Sequence, residues 1–322
     1  MAKVSVIMGV YKERPEYLRL AIDSILIQTY EDFEFIIVLD DPHNTELLTI
    51  LEGYERKDNR VVLILNEQNI GLALSLNKAI EYSRGIYLAR MDADDISFPN
   101  RFAMQVEYLD NHPDIAVVGT NKIIIDETGK EISKGATIPT SNVEIKAIMR
   151  YSNIMVHPSI MMRSDIIKEM GGYRAFPATQ DYDLWSRLLD KDYRISNIDE
   201  YLIKYRINTS GVSMGNAYKQ FVVGKYIEKL DQERQNSGED SYSVEGLNQF
   251  MKDNRVDDPE ECRAFQNARA IFEEGRLSVK NGKMISGGAK LIKAACLHPY
   301  MKNIVINQIK CAFIKRKYRA KR

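Results

Sequence analysis

Apolar and polar positions change rhythm repeatedly along the first part of the chain. Residues 3–10 (KVSVIMGV) form a nearly unbroken apolar, β-branched run, the pattern of a strand buried on both faces. Pro15 suits a first helical turn, and Tyr17, Leu18, Ala21, Ile22, Ile25 and Leu26 follow at helical spacing. Residues 33–39 (FEFIIVL) predict a second buried strand, ending in Asp40-Asp41. A helix over 43–57, a strand over 60–65 and a helix over 72–83 opened by Gly71 come next. A strand over 86–91 then runs directly into Asp92-Ala93-Asp94-Asp95, followed by a helix over 99–111 and a strand over 115–125.

This alternation predicts an α/β fold with a mainly parallel sheet and helices on both faces. Such sheets bind ligands beyond the carboxyl ends of their strands, where Asp40, Asp41, Asp92 and Asp94 fall. The later chain is less regular. Residues 127–130 (ETGK) read as a hairpin turn, 142–150 as a helix and 158–162 as a short strand. Thr179 reads as the N-cap of a helix reaching about Asp190, and 201–207 (YLIKYRI) as a strand. After Gly215 the pattern is helical, broken by a polar loop over 235–243 and containing a helical hairpin over 264–275 and 287–295.

Composition adds limits. The 322 residues are 44% hydrophobic and 28% charged, enough to bury a core without staples. There is no apolar run long enough to span a bilayer, and no signal-peptide pattern at the start. Net charge is zero, but residues 302–322 hold eight Lys or Arg and no Asp or Glu. The first 301 residues therefore carry 37 basic against 45 acidic side chains, a poor surface for nucleic acid. Cys262, Cys296 and Cys311 have no metal-ligand spacing and read as reduced cytosolic thiols.

Asp92 and Asp94 carry the first chemical signal. Positions i and i+2 of a strand share a face, so two carboxylates converge beside a third at Asp95. A hard divalent cation with oxygen ligands relieves that repulsion and can also hold a diphosphate. The alternative is a solvated acidic turn before the helix at Pro99. No GxGxxG follows the first strand and no GxxxxGK[ST] occurs, which disfavours dinucleotide oxidoreductases and P-loop NTPases.

Four segments, VSVIMGVYKE, SILIQTYEDFEFIIVLDD, NIGLALSLNKAIEYSRGIYLARMDADD and TQDYDLWSRL, occur in an order and spacing that resemble the family 2 glycosyltransferases. These are inverting enzymes of the GT-A fold, and the resemblance covers roughly residues 3 to 213. It implies a transferase domain over 1–213, with a nucleotide-sugar half to about 125 and an acceptor half beyond it. A helical region with a basic tail over 214–322 follows. By the same resemblance, Asp94 is the direct ligand of Mn²⁺ or Mg²⁺, and Asp92 lies near metal and ribose. Asp41 contacts the base, while Val10, Tyr11 and Glu13 belong to the loop that cradles the nucleoside. Asp40 is the alternative, as a structural partner of that loop. Asp181 matches the catalytic base, with Gln180 where the family usually has Glu. His157 and Trp185 fall on the acceptor side, and each has a packing role as its alternative. The family pattern YRxH reads here as Tyr205-Arg206-Ile207-Asn208, which places Asn208 at a metal-ligand position and lets Arg206 help neutralise the diphosphate.

The implied reaction is transfer of a sugar from a nucleotide-sugar donor, a UDP-sugar by preference, to a glycan or polyprenyl-linked acceptor in bacterial surface polysaccharide synthesis. One rival is a non-catalytic nucleotide-sugar-binding scaffold. The other is a nucleotidyltransferase, for which Val10-Tyr11-Lys12-Glu13 lacks the glycines. In the tail, Val305, Ile306, Ile309 and Phe313 share a helical face with Lys302, Lys310 and Lys317 near its edge, while Ile304 and Ile314 break the pattern. This predicts an interfacial helix on anionic lipid at the inner face of the plasma membrane, against a helix packed on the body.

Overall fold

A computed structural model of the chain describes residues 2–207 and 217–319. Asn208 and Gly215 lie outside the described residues. The first elements are β1 (Val4–Val10), α1 (Pro15–Leu26), β2 (Phe33–Leu39), α2 (Thr45–Lys57), β3 (Val61–Leu65), α3 (Leu72–Tyr82), β4 (Tyr87–Arg90), β5 (Ile96–Ser97) and α4 (Arg101–Asn111). Next come β6 (Ile115–Ile125), β7 (Glu131–Lys134), α5 (Asn142–Met149), β8 (Met161–Arg163), α6 (Ser164–Glu169), α7 (Gln180–Asp190) and β9 (Arg194–Arg206). The last helices are α8 (Ala217–Ser237), α9 (Val244–Asp253), α10 (Pro259–Lys280), α11 (Met284–Leu297) and α12 (Pro299–Arg319).

The strands form one mixed sheet in the order β3-β2-β1-β4-β8-β6-β9-β5, with β7 beside β6. β1 runs parallel to β2 and β4, β2 to β3, and β6 to β9, while β8 runs antiparallel between β4 and β6. β1 and β2 are apolar because helices cover both faces, except at Ser5 and Glu34, where the Ser5 hydroxyl donates to Glu34 Oε1 at 2.7 Å. Val4, Val6 and Met8 of β1 and Phe33, Phe35 and Ile37 of β2 share a core with α1, α2 and α4. α3 lies over the opposite face of β1 and β2. Gly9 is what lets it approach, since an added Cβ would stand 2.9 Å from Leu72 Cδ1.

Register decides where the loops emerge. Val10 lies opposite Leu39, and Leu39 opposite Leu65, so β1, β2 and β3 end level. Arg90, the last residue of β4, lies opposite Ile7, so β4 stops lower in the sheet. The next residues continue upward beside β1, with Met91 N–H donating to Ile7 C=O at 3.2 Å.

Two elements differ from the sequence pattern. The strand expected from Pro158 begins only at Met161, because His157–Ser159 forms a 3₁₀ turn. Ser159 Oγ closes that turn, donating to Val156 C=O at 2.8 Å and accepting from Thr120 N–H at 3.0 Å. β9 begins at Arg194, well before the apolar stretch at 201, because its first half is polar and borrows its apolar neighbours from β6.

One compact unit holds the chain through Ile145 and again from Ile154 to β9; the other holds Lys146–Asn153 with α8 to α12. The second unit has its own core of Tyr218, Val222, Val256, Phe265, Phe272, Ala294 and Met301. In α12, Ile304 and Val305 pack against that core, while Ile306, Ile309 and Phe313 are exposed. The tail face predicted from sequence is therefore corrected by one residue: Val305 turns inward. Among the described residues no helix is long and apolar enough to cross a membrane.

Candidate active site

The loop after β1 begins at buried Val10 and exposed Tyr11. Tyr11 N–H donates to Glu13 Oε2 at 2.6 Å, and the Lys12 ammonium lies 4.7 Å over the Tyr11 ring. After β2, Asp40 and Asp41 separate in role. Asp40 is buried, and its carboxylate accepts from Ile70 N–H at 2.9 Å, Gly71 N–H at 2.8 Å and Asn66 Nδ2 at 2.8 Å. It thereby fixes the turn that starts α3, where Gly71 has φ of 84°. Its own N–H bonds Val10 C=O at 2.7 Å. Asp41 is half-buried, its carboxylate accepting from His43 N–H at 3.3 Å.

The acidic cluster forms where β4 stops short. Arg90 is fully buried; it ion-pairs with Asp92 and donates to Met91 C=O, with its Nε left unpartnered among the described residues. Asp94 is pushed up to about 7, first by burial and then by the charges of Asp92 and Glu13. Asp95 is fully buried and held well above the carboxylate range, again by burial first, then by Asp94 and Asp92. Its Oδ1 accepts from Arg206 N–H at 2.8 Å, whereas Oδ2 has no partner among the described residues.

Arg206 is the last residue of β9. It is buried, with Nε donating to Asp94 C=O at 2.8 Å and Nη1 to the carbonyls of Asp126 at 3.0 Å and Glu127 at 3.2 Å. Its guanidinium stacks 4.2 Å over the Tyr17 ring, and its Nη2 is buried without a partner among the described residues. The end of β9 thus clamps the segment that carries Asp94.

α7 delivers the second acidic group. Thr179 precedes it in the left-handed region, φ 57°, a strained conformation for a β-branched residue. Its hydroxyl therefore bonds Ala178 C=O at 2.7 Å instead of capping the helix as the sequence predicts. Asp181 sits half-buried in the first turn and Gln180 is buried. Trp185 is 0% exposed, buried like Leu184 and Leu188 on the same helix. His157 is also a packing group here. Its Nε2 lies 2.9 Å from the Tyr173 hydroxyl, its ring meets Trp185 edge-on, and burial followed by the Arg90 charge holds it well below the histidine range.

Two aromatic residues mark where these parts meet. The Tyr205 phenol is raised by burial and then by the charges of Asp95, Asp92, Asp94 and Asp181, so all four carboxylates stand within electrostatic reach of one ring. Tyr173 likewise feels both Asp181 and Asp92. Lys122 lies 3.8 Å over the Tyr205 ring, its ammonium disfavoured by burial. Sequence reasoning missed Tyr205, Lys122 and Arg90 as parts of the site. The available signal was a lone Arg and a lone Lys interrupting apolar strands next to acidic residues.

An α/β sheet whose carboxyl-end loops gather carboxylates suits an enzyme that handles a cation together with a phosphorylated ligand. Comparison with known proteins specifies which. The profile of Glycosyl transferase family 2 matches residues 5–171, more than half of the chain. The chain belongs to this family and is a glycosyltransferase. It is 38% identical over 208 residues to the O-antigen biosynthesis glycosyltransferase WbnJ of Escherichia coli, covering 64% of this chain and 80% of that protein. Its α/β GT-A-like fold is shared with residues 1–349 of S. aureus TarS in complex with UDP-GlcNAc, TM-score 0.59, 17% identity, covering 99% of this chain and 92% of that fragment. It is also shared with the mannosyltransferase PcManGT of Pyrobaculum calidifontis in complex with GDP-Man and Mn²⁺, TM-score 0.56, 14% identity, covering 97% and 86%.

Proposed function

We propose that the chain transfers a sugar from a nucleotide-sugar donor, a UDP-sugar by preference, to a growing surface glycan or polyprenyl-linked glycan, with inversion at the anomeric carbon. The observation that carries this reading is that Asp92 and Asp94, in the loop after β4, and Asp181, in the first turn of α7, all raise the pKa of the Tyr205 phenol by their charge. Donor class is supported by the UDP-GlcNAc and GDP-Man held by the two structural relatives, and acceptor class by the role named for WbnJ. On this reading residues 1–213 are the transferase domain and 214–322 a helical region.

Asp94 and Asp92 would hold Mn²⁺ or Mg²⁺. The fit rests on their crowding: Asp94 at about 7 and the unpartnered Oδ2 of Asp95 describe carboxylates short of positive charge. A hard cation held by these two carboxylates would still have room for diphosphate oxygens. The bound ion supplies Lewis acidity to the leaving diphosphate. The chain's own residues do the rest. Val10, Tyr11 and Glu13 line the nucleoside and Asp41 takes the base. Arg206 holds the Asp94 segment in place and lends charge beside the diphosphate. Asp181 accepts the proton of the acceptor hydroxyl as it attacks, a role that one carboxylate can fill in a single displacement.

Calorimetric titration of UDP, GDP and dTDP, with and without Mn²⁺, tests the donor site. One nucleotide should bind in a metal-dependent manner, and Asp94→Ala should weaken it at least tenfold, roughly the loss of one charged ligand. Asp181→Asn should keep that affinity and lose transfer by about 10²–10⁴-fold. Absence of nucleotide binding by the folded chain would sink the transferase reading in favour of a scaffold.

A further inference from the structure

The charge of this chain is segregated more sharply than its tail alone suggests. From Gly275 to Arg322 there are thirteen Lys or Arg and no Asp or Glu, while the first 274 residues hold 32 basic against 45 acidic. This cationic segment builds the end of α10 and all of α11 and α12. Of its described cations, Arg276 and Lys290 close salt bridges, to Glu273 and Glu274. Lys280, Lys283, Lys293, Lys302, Arg316 and Lys317 close none among the described residues.

The same helices leave apolar side chains in solvent, and in a pattern. On α11, Ile285 is 92% exposed and Ile292 68% exposed. With exposed Ala289 and Cys296 they recur at i, i+4, i+7 and i+11, one stripe of a helix. On α12, exposed Ile306, Ile309 and Phe313 recur in the same rhythm, with Lys302 and Arg316 at the two ends of their stripe and Lys310 and Lys317 along one edge. Both helices have already buried their other face, through Ala294 in α11 and through Met301, Ile304 and Val305 in α12. Scattered exposed leucines need no explanation, but two apolar stripes set in charge of one sign do.

We infer that the exposed stripes of α11 and α12 are a docking surface for an anionic lipid bilayer, inserting Ile285, Ile292, Ile309 and Phe313 among the headgroups while the lysines pair with lipid phosphates. Charge complementarity selects this occupant. A second copy of the chain meeting it face to face would set one cationic segment against another, and a neutral partner would leave the lysines unanswered. The surface includes α11, which the sequence pattern did not mark, and excludes Val305, which it did. It stands or falls separately from the transfer reaction.

The test is co-sedimentation of the full chain with vesicles of phosphatidylcholine alone and of phosphatidylcholine mixed with phosphatidylglycerol. Binding should favour the anionic vesicles by at least about tenfold and weaken as salt is added. Ile285→Ser/Ile292→Ser and Ile309→Ser/Phe313→Ser should each weaken it by about tenfold or more without changing the circular dichroism spectrum. Alkylation of Cys296 in the unaltered chain, followed by mass spectrometry, gives a readout that needs no variant: anionic vesicles should slow it and neutral ones should not. The proposal is overturned by absence of anionic-vesicle binding, by binding that both double variants retain, or by Cys296 alkylation unaffected by bound vesicles. Serine variants that convert a dimer to a monomer without losing vesicle binding would also overturn it, assigning the face to a second copy.

Discussion

His157 shows how the residue scale resolves a choice that the sequence leaves open. A lone histidine is more often a packed, hydrogen-bonded ring than a ligand contact, but the sequence alone leaves both open. Its bond to the Tyr173 hydroxyl, its edge contact with Trp185 and its depressed pKa make it a neutral buried group. The sign of its pH effect follows. Unfolded, the ring takes up a proton below its ordinary value of about 6.5; folded, burial and Arg90 keep it neutral. Its contribution therefore disappears above that value, and folding stability falls as pH drops below it. Between about pH 7.5 and 5.5 this linkage amounts to roughly 1 kcal/mol. Urea unfolding of wild type and His157→Gln at those two pH values should show the wild type losing that much more than the variant. Parallel losses would mean that His157 is charged in the fold. Asp92, Asp94 and Asp181 could be singled out at this scale because the proposed chemistry needs a fixed type at a fixed place. Arg206 was legible only as a charge near a strand end, because the carbonyls it holds belong to Asp94, Asp126 and Glu127, distant in sequence.

At the scale of elements, legibility depends on whether an element's burial is written in its own residues. β1 and β2 are covered on both faces, so their apolar runs give their bounds to within a residue. The first half of β9 is polar and paired to β6, and no local pattern marks it. α7 is intermediate: its existence was plain, its anchoring was not. Asp183 is fully buried and accepts from Arg187 Nε at 2.8 Å, with Arg174 Nη1 at 3.5 Å. Arg187 in turn donates to Met170 C=O at 2.7 Å and Gly172 C=O at 2.6 Å. Gly172 is at φ of 65°, and an added Cβ would meet Asn77 Oδ1 at 2.4 Å. The helix carrying Asp181 is thus tied to the turn before it through one buried carboxylate. Asp183→Ala removes the buried countercharge of two arginines, one of them itself buried, and should cost about 3–5 kcal/mol of stability. Thermal and urea unfolding would measure it. A loss below about 1 kcal/mol, the range of an exposed pair, would mean that α7 is held by Trp185 and its leucines instead.

At the scale of the whole molecule the sequence suggests a simple cut, a transferase to residue 213 and helices after it. Compactness divides the chain differently, because Lys146–Asn153 belongs with the late helices. Tyr151 shows how. Its carbonyl accepts from Asn307 Nδ2 at 3.3 Å, and the Lys310 ammonium lies 4.8 Å over its ring. No periodicity could reveal this, since both partners lie more than a hundred and fifty residues downstream of Tyr151. The consequence concerns truncation. A chain ending at residue 213 would keep the acidic cluster and α7 but leave residues 146–153 without the helices they pack on. Local opening there would present Lys146 and Arg150 to trypsin, because cleavage needs an unfolded stretch of backbone rather than an accessible side chain alone. Limited proteolysis with sites mapped by mass spectrometry should find these two bonds cut early in the truncated chain and protected in the full one. Equal protection in both would show that the segment holds its fold without α12, and that the cut at 213 separates two self-sufficient parts.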